Sequence, residues 1–136
     1  MKAYLDANIF IYPILYSSDS KEKKCKQILN DVVSGRLQAI TSSLTLDEII
    51  WKIIKKTGRQ KTLKLAKDLF ELPNLTIVEV GTQDMFNAIE LMEKYPHLKP
   101  RDAIHAAVAI NNNAAKIYSD DPDFDGVKEI GRVGLD

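Results

Sequence analysis

The chain opens with a short apolar segment that ends in an acid, Lys2-Ala3-Tyr4-Leu5-Asp6. Residues 2–5 predict a β-strand with Asp6 at its C-terminal end. Asp6 could simply end the strand in a turn, but a charge directly after a buried strand favours a functional role. The apolar segment Asn8–Tyr16 follows and predicts a short helix, which Pro13 must either kink or begin.

Strands and helices alternate along the rest of the chain. Apolar periodicity and capping residues predict helices at 20–34, 43–56, 59–72, 82–95 and 100–111, and strands at 38–41, 75–80, 115–119 and 127–130. The helix at 82–95 carries Met85, Phe86, Ile89 and Met92 on one face. This alternation predicts an α/β fold: a single α/β/α domain, residues 1–136, around a mainly parallel sheet of four to five strands.

Composition limits the classes of function. The 136 residues suit one domain, and the single cysteine, Cys25, excludes an internal disulfide and a cysteine-based zinc site. The N-terminus lacks the features of a signal peptide, and no apolar run reaches the ~18 residues that a membrane span needs. We therefore expect a cytoplasmic protein. The formal net charge is 0, so nucleic-acid binding would depend on a local patch or on metal ions.

Acidic residues follow the predicted strands. Asp6 follows the first strand, Glu48 lies one turn into the helix after the second, and Asp102 lies in the first turn of the helix that Pro100 opens. A run of acids follows the fourth strand: Asp120, Asp121, Asp123 and Asp125. Sites in parallel sheets lie outside the C-terminal ends of the strands, so we expect these residues to share one cleft.

Such a cleft predicts a particular chemistry. Clustered carboxylates repel one another unless some are protonated or a cation neutralises them. Oxygen ligands select hard cations, which favours Mg²⁺ or Mn²⁺ over zinc. Two such ions about 4 Å apart can activate a water and stabilise the leaving oxygen of a phosphodiester. The sequence therefore favours a metal-dependent nuclease or phosphotransfer site.

Several of these residues also have structural interpretations. Glu48 could complete a capping box with Thr45, and Asp102 could serve only the dipole of its helix. The acidic run could be a solvated loop. We interpret His105 as a half-buried histidine with satisfied hydrogen bonds, although it shares a helix face with Asp102. The polar segment 41–43 could position a water or phosphate, or could cap a helix.

Basic residues are concentrated on two consecutive predicted helices. They could form a wall that follows phosphates, or they could be an ordinary solvated face. The residues are Lys52, Lys55, Lys56, Arg59, Lys61, Lys64 and Lys67.

Four segments resemble the motifs of the PIN-domain ribonucleases, and within that family the VapC-like toxins of toxin–antitoxin pairs. The segments are Tyr4–Asn8, Ser43–Ile49, Leu98–Ala107 and Ser119–Phe124. The resemblance extends over essentially the whole chain, and the third segment, with Asp102, is the most specific match. Ala7 stands where Thr or Ser is usual. The last segment places the fourth acid at Asp121 and a further one at Asp123, with Asp120 as the alternative for the fourth.

The resemblance implies an endoribonuclease that cleaves RNA with Mg²⁺ or Mn²⁺. Asp6 and Asp102 would be the main metal ligands, while Glu48 and Asp121 would complete the metal shell or hold the attacking water. Asp123 would be a further catalytic acid. The resemblance also implies a homodimer and a small antitoxin protein that occupies the cleft. We expect the helices of residues 43–72 to form its groove, because they adjoin Glu48 and carry a long apolar stripe.

Other classes of function remain open on the sequence alone. An RNA-processing PIN nuclease would act without an antitoxin. A Mg²⁺-dependent phosphatase would need a second aspartate at position 8, where the chain has Asn8, whereas a phosphoaccepting domain would use Asp6 itself. An inactive interaction module is disfavoured because all four acids are present.

Overall fold

Helices and strands alternate in the structure, a computed structural model that describes residues 2–16 and 19–136. The strands are β1 (Lys2–Leu5), β2 (Gln38–Ser42), β3 (Leu75–Val78), β4 (Lys116–Tyr118) and β5 (Gly131–Val133). The helices are α1 (Ala7–Leu15), α2 (Ser20–Val33), α3 (Ser43–Thr57), α4 (Arg59–Leu69), α5 (Thr82–Lys94) and α6 (Pro100–Asn111), with a 3₁₀ turn at Pro122–Gly126. The α/β prediction is therefore confirmed.

The five strands form one parallel sheet in the order β3-β2-β1-β4-β5. The chain first builds the sheet outward from β1 through β2 to β3, and later returns to the other side of β1 with β4. The strand order therefore reverses between β1 and β4, where loops on opposite sides of the sheet separate and leave a crevice. Asp6 and Ser119 directly follow these two strands, and the Asp6 backbone N–H bonds to the Tyr118 carbonyl at 3.0 Å.

Each face of the sheet is covered by a separate hydrophobic core. Tyr4 and Ile117 point to the core beneath α5 and α6. Leu5 and Ala39 point to the other core, which also contains Ile53 of α3. Alternate strand residues face opposite sides, so one strand contributes to both layers. No helix in the described ranges combines the length and apolar character that a membrane crossing demands.

One predicted strand is misplaced, and one helix face is more exposed than its apolar character suggests. The fifth strand lies at Gly131–Val133 rather than at 127–130, because Val127 and Ile130 are buried in the core while Gly131 pairs with Lys116 of β4. The apolar face of α5 is mostly exposed, since the helix packs through its small and buried residues against α6. The exposed residues are Met85, Phe86 and Ile89.

Candidate active site

Asp6 lies at the crevice where the strand order reverses. Its Oδ1 accepts a hydrogen bond of 2.7 Å from the Ala7 backbone N–H, and so caps α1. Its Oδ2 accepts hydrogen bonds from Ser119 Oγ at 2.6 Å and from Asn8 Nδ2 at 3.2 Å. The residue is 6% exposed. Three donors therefore fix the orientation of this carboxylate and stabilise its negative charge.

Glu48 projects from α3 toward α6, where its carboxylate contacts Nε2 of His105. The capping-box interpretation of Glu48 is wrong. Helix α3 begins at Ser43, which places Thr45 inside the helix, and the Thr45 hydroxyl bonds to Thr41 Oγ1 at 2.7 Å. The Glu48 side chain is therefore engaged with the histidine rather than with the helix start.

His105 connects the carboxylates to the core of the sheet. Its ring is 1% exposed, so the half-buried interpretation is wrong, although both ring nitrogens are satisfied as predicted. Nδ1 lies 2.6 Å from the Tyr4 hydroxyl, which in turn lies 2.7 Å from Ser42 Oγ. Nε2 contacts Glu48 and lies 3.5 Å from Asp6 Oδ1. A buried hydrogen-bonded chain thus holds the imidazole between two acids from different elements.

The charge of this histidine depends on opposing effects. Burial lowers the pKa of His105, but the hydrogen bond that its ring donates to Glu48 and the charges of Asp6, Glu48 and Asp102 raise the pKa more, so the net pKa is raised. The protonated ring therefore acts as an internal counter-charge for the acids. The spacing of three residues from Asp102 was the sequence signal for this role, because it places both side chains on one face of α6.

Asp102, Asp121 and Asp123 form the other half of the acidic cluster. One carboxylate oxygen from each lies within 4.8 Å of the others. The pKa of Asp102 is raised to about 7. Burial is the largest cause, followed by the hydrogen bond with Asp121 and by the charges of Asp121 and Asp6. The acids therefore compete for ionisation, as closely spaced carboxylates do without a cation.

The structure separates Asp120 from Asp121. The Asp120 carboxylate accepts a hydrogen bond from the Tyr12 hydroxyl at 2.8 Å and pairs with Lys21 at 3.0 Å. The backbone N–H of Asp121 donates to Ser119 Oγ, and its side chain caps the 3₁₀ turn. Asp121 lines the cavity together with the other acids, whereas Asp120 pairs with Tyr12 and Lys21 and does not line it.

All four predicted metal ligands line one cavity of about 180 Å³. The acids are Asp6, Glu48, Asp102 and Asp121, and the wall also includes Asn8, Tyr12, Tyr16 and Lys52. Asp123 does not line the cavity but lies against Asp102 and Asp121. Of the charged side chains that line the cavity, four are carboxylates and one, that of Lys52, is an ammonium group. This donor set fits a hard divalent cation such as Mg²⁺ or Mn²⁺.

The assignment of the fourth acid can be tested by a pair of isosteric substitutions. We expect Asp121→Asn to lower metal-dependent activity by at least about tenfold, because it removes a negative ligand from the cluster. Asp120→Asn should retain most activity, since an amide oxygen can still accept the bonds from Tyr12 and Lys21. Initial cleavage rates of the two variants decide the assignment, and a larger loss in Asp120→Asn would reverse it.

Neutralising Asp102 is expected to stabilise the metal-free protein. Its raised pKa means that the folded state favours the protonated carboxyl, so ionisation costs stability as the pH rises from about 4 through about 7. Asp102→Asn removes this cost. Because the carboxylate is partly solvated, we expect only about 1 kcal/mol, or a few degrees in Tm, at pH 8 in EDTA.

The pH dependence provides the control for this result. At pH 4 the wild-type carboxyl is already mostly protonated, and the two proteins should melt within about one degree of each other. Thermal melting followed by circular dichroism at both pH values measures the difference. A variant that melts well below the wild type at pH 8 would show instead that Asp102 stabilises the start of α6.

Comparisons with known proteins match the chain along most of its length. The PIN domain family profile matches residues 3–130. Ribonuclease VapC13 of Mycobacterium tuberculosis is 24% identical over 129 residues, which cover 95% of this chain and 97% of the relative. The structure of VapBC2 from Rickettsia felis, bound to a DNA fragment from its promoter, has a TM-score of 0.77 at 18% identity and covers 100% of both chains. The toxin VapC20 of M. tuberculosis, which cleaves the sarcin-ricin loop, has a TM-score of 0.75 at 16% identity over 93% of this chain and 95% of the toxin.

Proposed function

This chain belongs to the PIN domain family, and on that premise we propose that it is a Mg²⁺- or Mn²⁺-dependent endoribonuclease, the toxin of a toxin–antitoxin pair. One observation carries the proposal: carboxylates from four separate elements line a single cavity at the point where the strand order reverses. The activity named for the relative VapC13 supports RNA as the substrate.

A divalent cation bound to these carboxylates would neutralise them, bind the phosphate and lower the pKa of a water. The protein's own residues prepare the site. Ser119 and Asn8 hold Asp6 in one orientation, and His105 holds Glu48. Asp102, with its pKa raised to about 7 in the metal-free protein, would lose its proton when it binds the cation.

The arrangement of Asp6 argues against a phosphoaccepting domain. Both of its carboxylate oxygens accept hydrogen bonds from side chains or backbone, namely Ala7 on Oδ1 and Ser119 and Asn8 on Oδ2. An attacking carboxylate needs a free lone pair directed at phosphorus, and these donors reduce the nucleophilicity of both oxygens. The same donors suit a metal ligand, because outer hydrogen bonds orient ligating carboxylates.

An RNA cleavage assay tests the proposed activity. Purified protein should cut a single-stranded RNA in Mg²⁺ or Mn²⁺, release internal fragments, and stop when EDTA is added. Restoring the cation should restore cleavage. Activity that persists in EDTA, or the absence of any cleavage with either metal, would contradict the proposal.

The structure has an apolar groove, which supports the inference that this chain binds a protein partner. The groove, about 200 Å³, lies between the first four helices and is almost entirely apolar. Its lining includes Phe10, Pro13, Ile14, Leu29, Ile49, Leu65, Leu69 and Leu72. We infer that a small antitoxin anchors an amphipathic helix there and directs a cationic side chain to the acids. The VapBC structures among the relatives support such a partner.

A substitution in the groove is expected to separate binding from activity. When the chain is expressed with its antitoxin, Leu65→Asp should abolish copurification, because it buries a charge in the contact. The variant should still cleave RNA. Leu63→Asp, on the same helix but outside the groove, is the control and should copurify normally. Equal copurification of both variants would place the partner elsewhere.

Two finer features also belong to the proposal. We infer a homodimer, which sedimentation of the purified chain tests directly.

We infer a cytoplasmic location, because the single cysteine, Cys25, is buried as a free thiol, as suits a reducing compartment.

A further inference from the structure

An isolated aromatic side chain is exposed beside the acidic cavity. Trp51 lies on α3 three residues after Glu48 and is 64% exposed. It is the only tryptophan in the chain. A single exposed apolar residue is ordinary on a protein surface, so its exposure alone implies nothing. Its neighbours and its position relative to the cavity are what distinguish it.

Trp51 shares a helix face with one ligand of the cluster and two cations. Residues at spacings of three, four and seven lie on one side of a helix, which groups Glu48, Trp51, Lys52 and Lys55. Lys52 lines the cavity together with the acids. The Lys55 ammonium lies 5.7 Å from the centroid of the Trp51 ring. Trp51 is therefore next in the chain to a residue of the cavity wall, and the ammonium group of Lys55 lies over its ring.

The charges around Trp51 point to a nucleic acid rather than to an apolar protein surface. In the described part of the chain, neither Lys52 nor Lys55 has a carboxylate within ion-pair distance. Asp47, one turn before Trp51, is charged as well, but its carboxylate pairs with Arg101 at 3.9 Å rather than with either lysine. A protein-docking patch would instead place further apolar side chains around the ring.

We propose that Trp51 is a stacking platform for one unpaired base of the RNA substrate, with Lys52 and Lys55 contacting the neighbouring phosphates. This inference rests on the proposed ribonuclease function and adds to it a residue that positions the substrate. Stacking on an exposed ring requires a base with a free face, so the site selects single-stranded or loop RNA over a continuous duplex. The two lysines supply locally the positive charge that the neutral chain lacks overall.

The single tryptophan makes the site directly observable. In Ca²⁺, with the RNA checked to remain intact, a short A-rich single-stranded RNA should quench the tryptophan fluorescence saturably, while the same sequence in a duplex should quench it much less. In Mg²⁺, Trp51→Leu should raise KM for single-stranded RNA about tenfold or more with kcat largely kept. Trp51→Phe should restore most of the loss, because phenylalanine still stacks.

Phe70 provides the matched control, since it is 63% exposed directly after the end of α4. Phe70→Leu should leave KM unchanged. Unquenched fluorescence, or an unchanged KM in Trp51→Leu, would overturn the stacking site. A Trp51→Leu variant that loses self-association or partner binding while keeping KM would assign the ring to a protein interface instead. Failure of the wild type to cleave any RNA would contradict the proposed function, whereas normal cleavage without a Trp51 effect would contradict only this inference.

Discussion

RNA cleavage by the Asp6→Asn variant is expected to fall by at least about a hundredfold in saturating Mn²⁺. Loss of a residue that merely supports a metal ligand already costs about 10–100-fold, and Asp6 lies in the ligand cluster itself. The substitution removes the negative charge and replaces one carboxylate oxygen with an amide nitrogen. That nitrogen cannot accept the 2.6 Å hydrogen bond from Ser119. Both the charge and the fixed geometry of the site would be lost.

Initial cleavage rates of wild type and variant, at matched protein and metal concentrations, measure this effect. Asp31→Asn is the control, because its carboxylate pairs with Arg36 and does not line the cavity. Circular dichroism should show that both variants remain folded. Wild-type activity in Asp6→Asn would remove the cluster from the reaction and, with it, the proposed mechanism.

His105→Ala is expected to produce the largest loss of stability. The ring is fully buried, and its removal leaves a cavity, removes the partner of the Glu48 carboxylate and leaves the Tyr4 hydroxyl with Ser42 alone. The cavity and the lost hydrogen bonds together cost about 3 kcal/mol. In a domain of this size that corresponds to a fall in Tm of about 10 °C.

The other histidine is the natural control for this prediction. His97 is exposed, and its only side-chain hydrogen bond among the described residues is to the Asp123 carbonyl at 3.0 Å. His97→Ala should change the free energy of unfolding by less than about 0.5 kcal/mol. His105→Gln should recover part of the stability, because its amide can donate to Glu48. Equal melting of His105→Ala and the wild type would show that the buried hydrogen-bonded chain contributes nothing.

The same histidine should give the stability a pH dependence. The pKa of His105 is raised above its ordinary value of 6.5. The stabilisation from its charged form is therefore fully present below about pH 6.5 and is lost as the pH rises through the higher folded-state pKa. We expect the Tm difference between wild type and His105→Gln, measured in EDTA, to be larger at pH 5.5 than at pH 9.

The positions of the acids were predictable because parallel strands deliver their ends to one edge. Asp6 after β1 and Asp121 after β4 meet for that reason alone. The supporting residues were harder to predict. In the sequence, Tyr4 resembles any apolar strand residue. Its hydrogen bond with His105 joins positions that are 101 residues apart. Burial of a polar side chain depends on such distant partners, which local periodicity does not contain.

The errors in the predicted elements have similar causes. Val127 and Ile130 are apolar because they fill a core, not because they form a strand. The edge strand β5 has only three residues, and its pairing with β4 defines it more than its composition does. On α5, periodicity identified an apolar face, but the small residue Ala88 allows closer packing against α6 than the large residues do.

The central claim is that the carboxylates of Asp6, Glu48, Asp102 and Asp121 jointly hold a divalent cation. Calorimetric titration of Mn²⁺ into metal-free protein tests it most directly, because the readout is independent of the RNA. We predict saturable binding by the wild type and by Asp120→Asn, and strongly weakened binding by Asp6→Asn. Absence of saturable binding by the wild type, or equal affinity in Asp6→Asn, would contradict the claim.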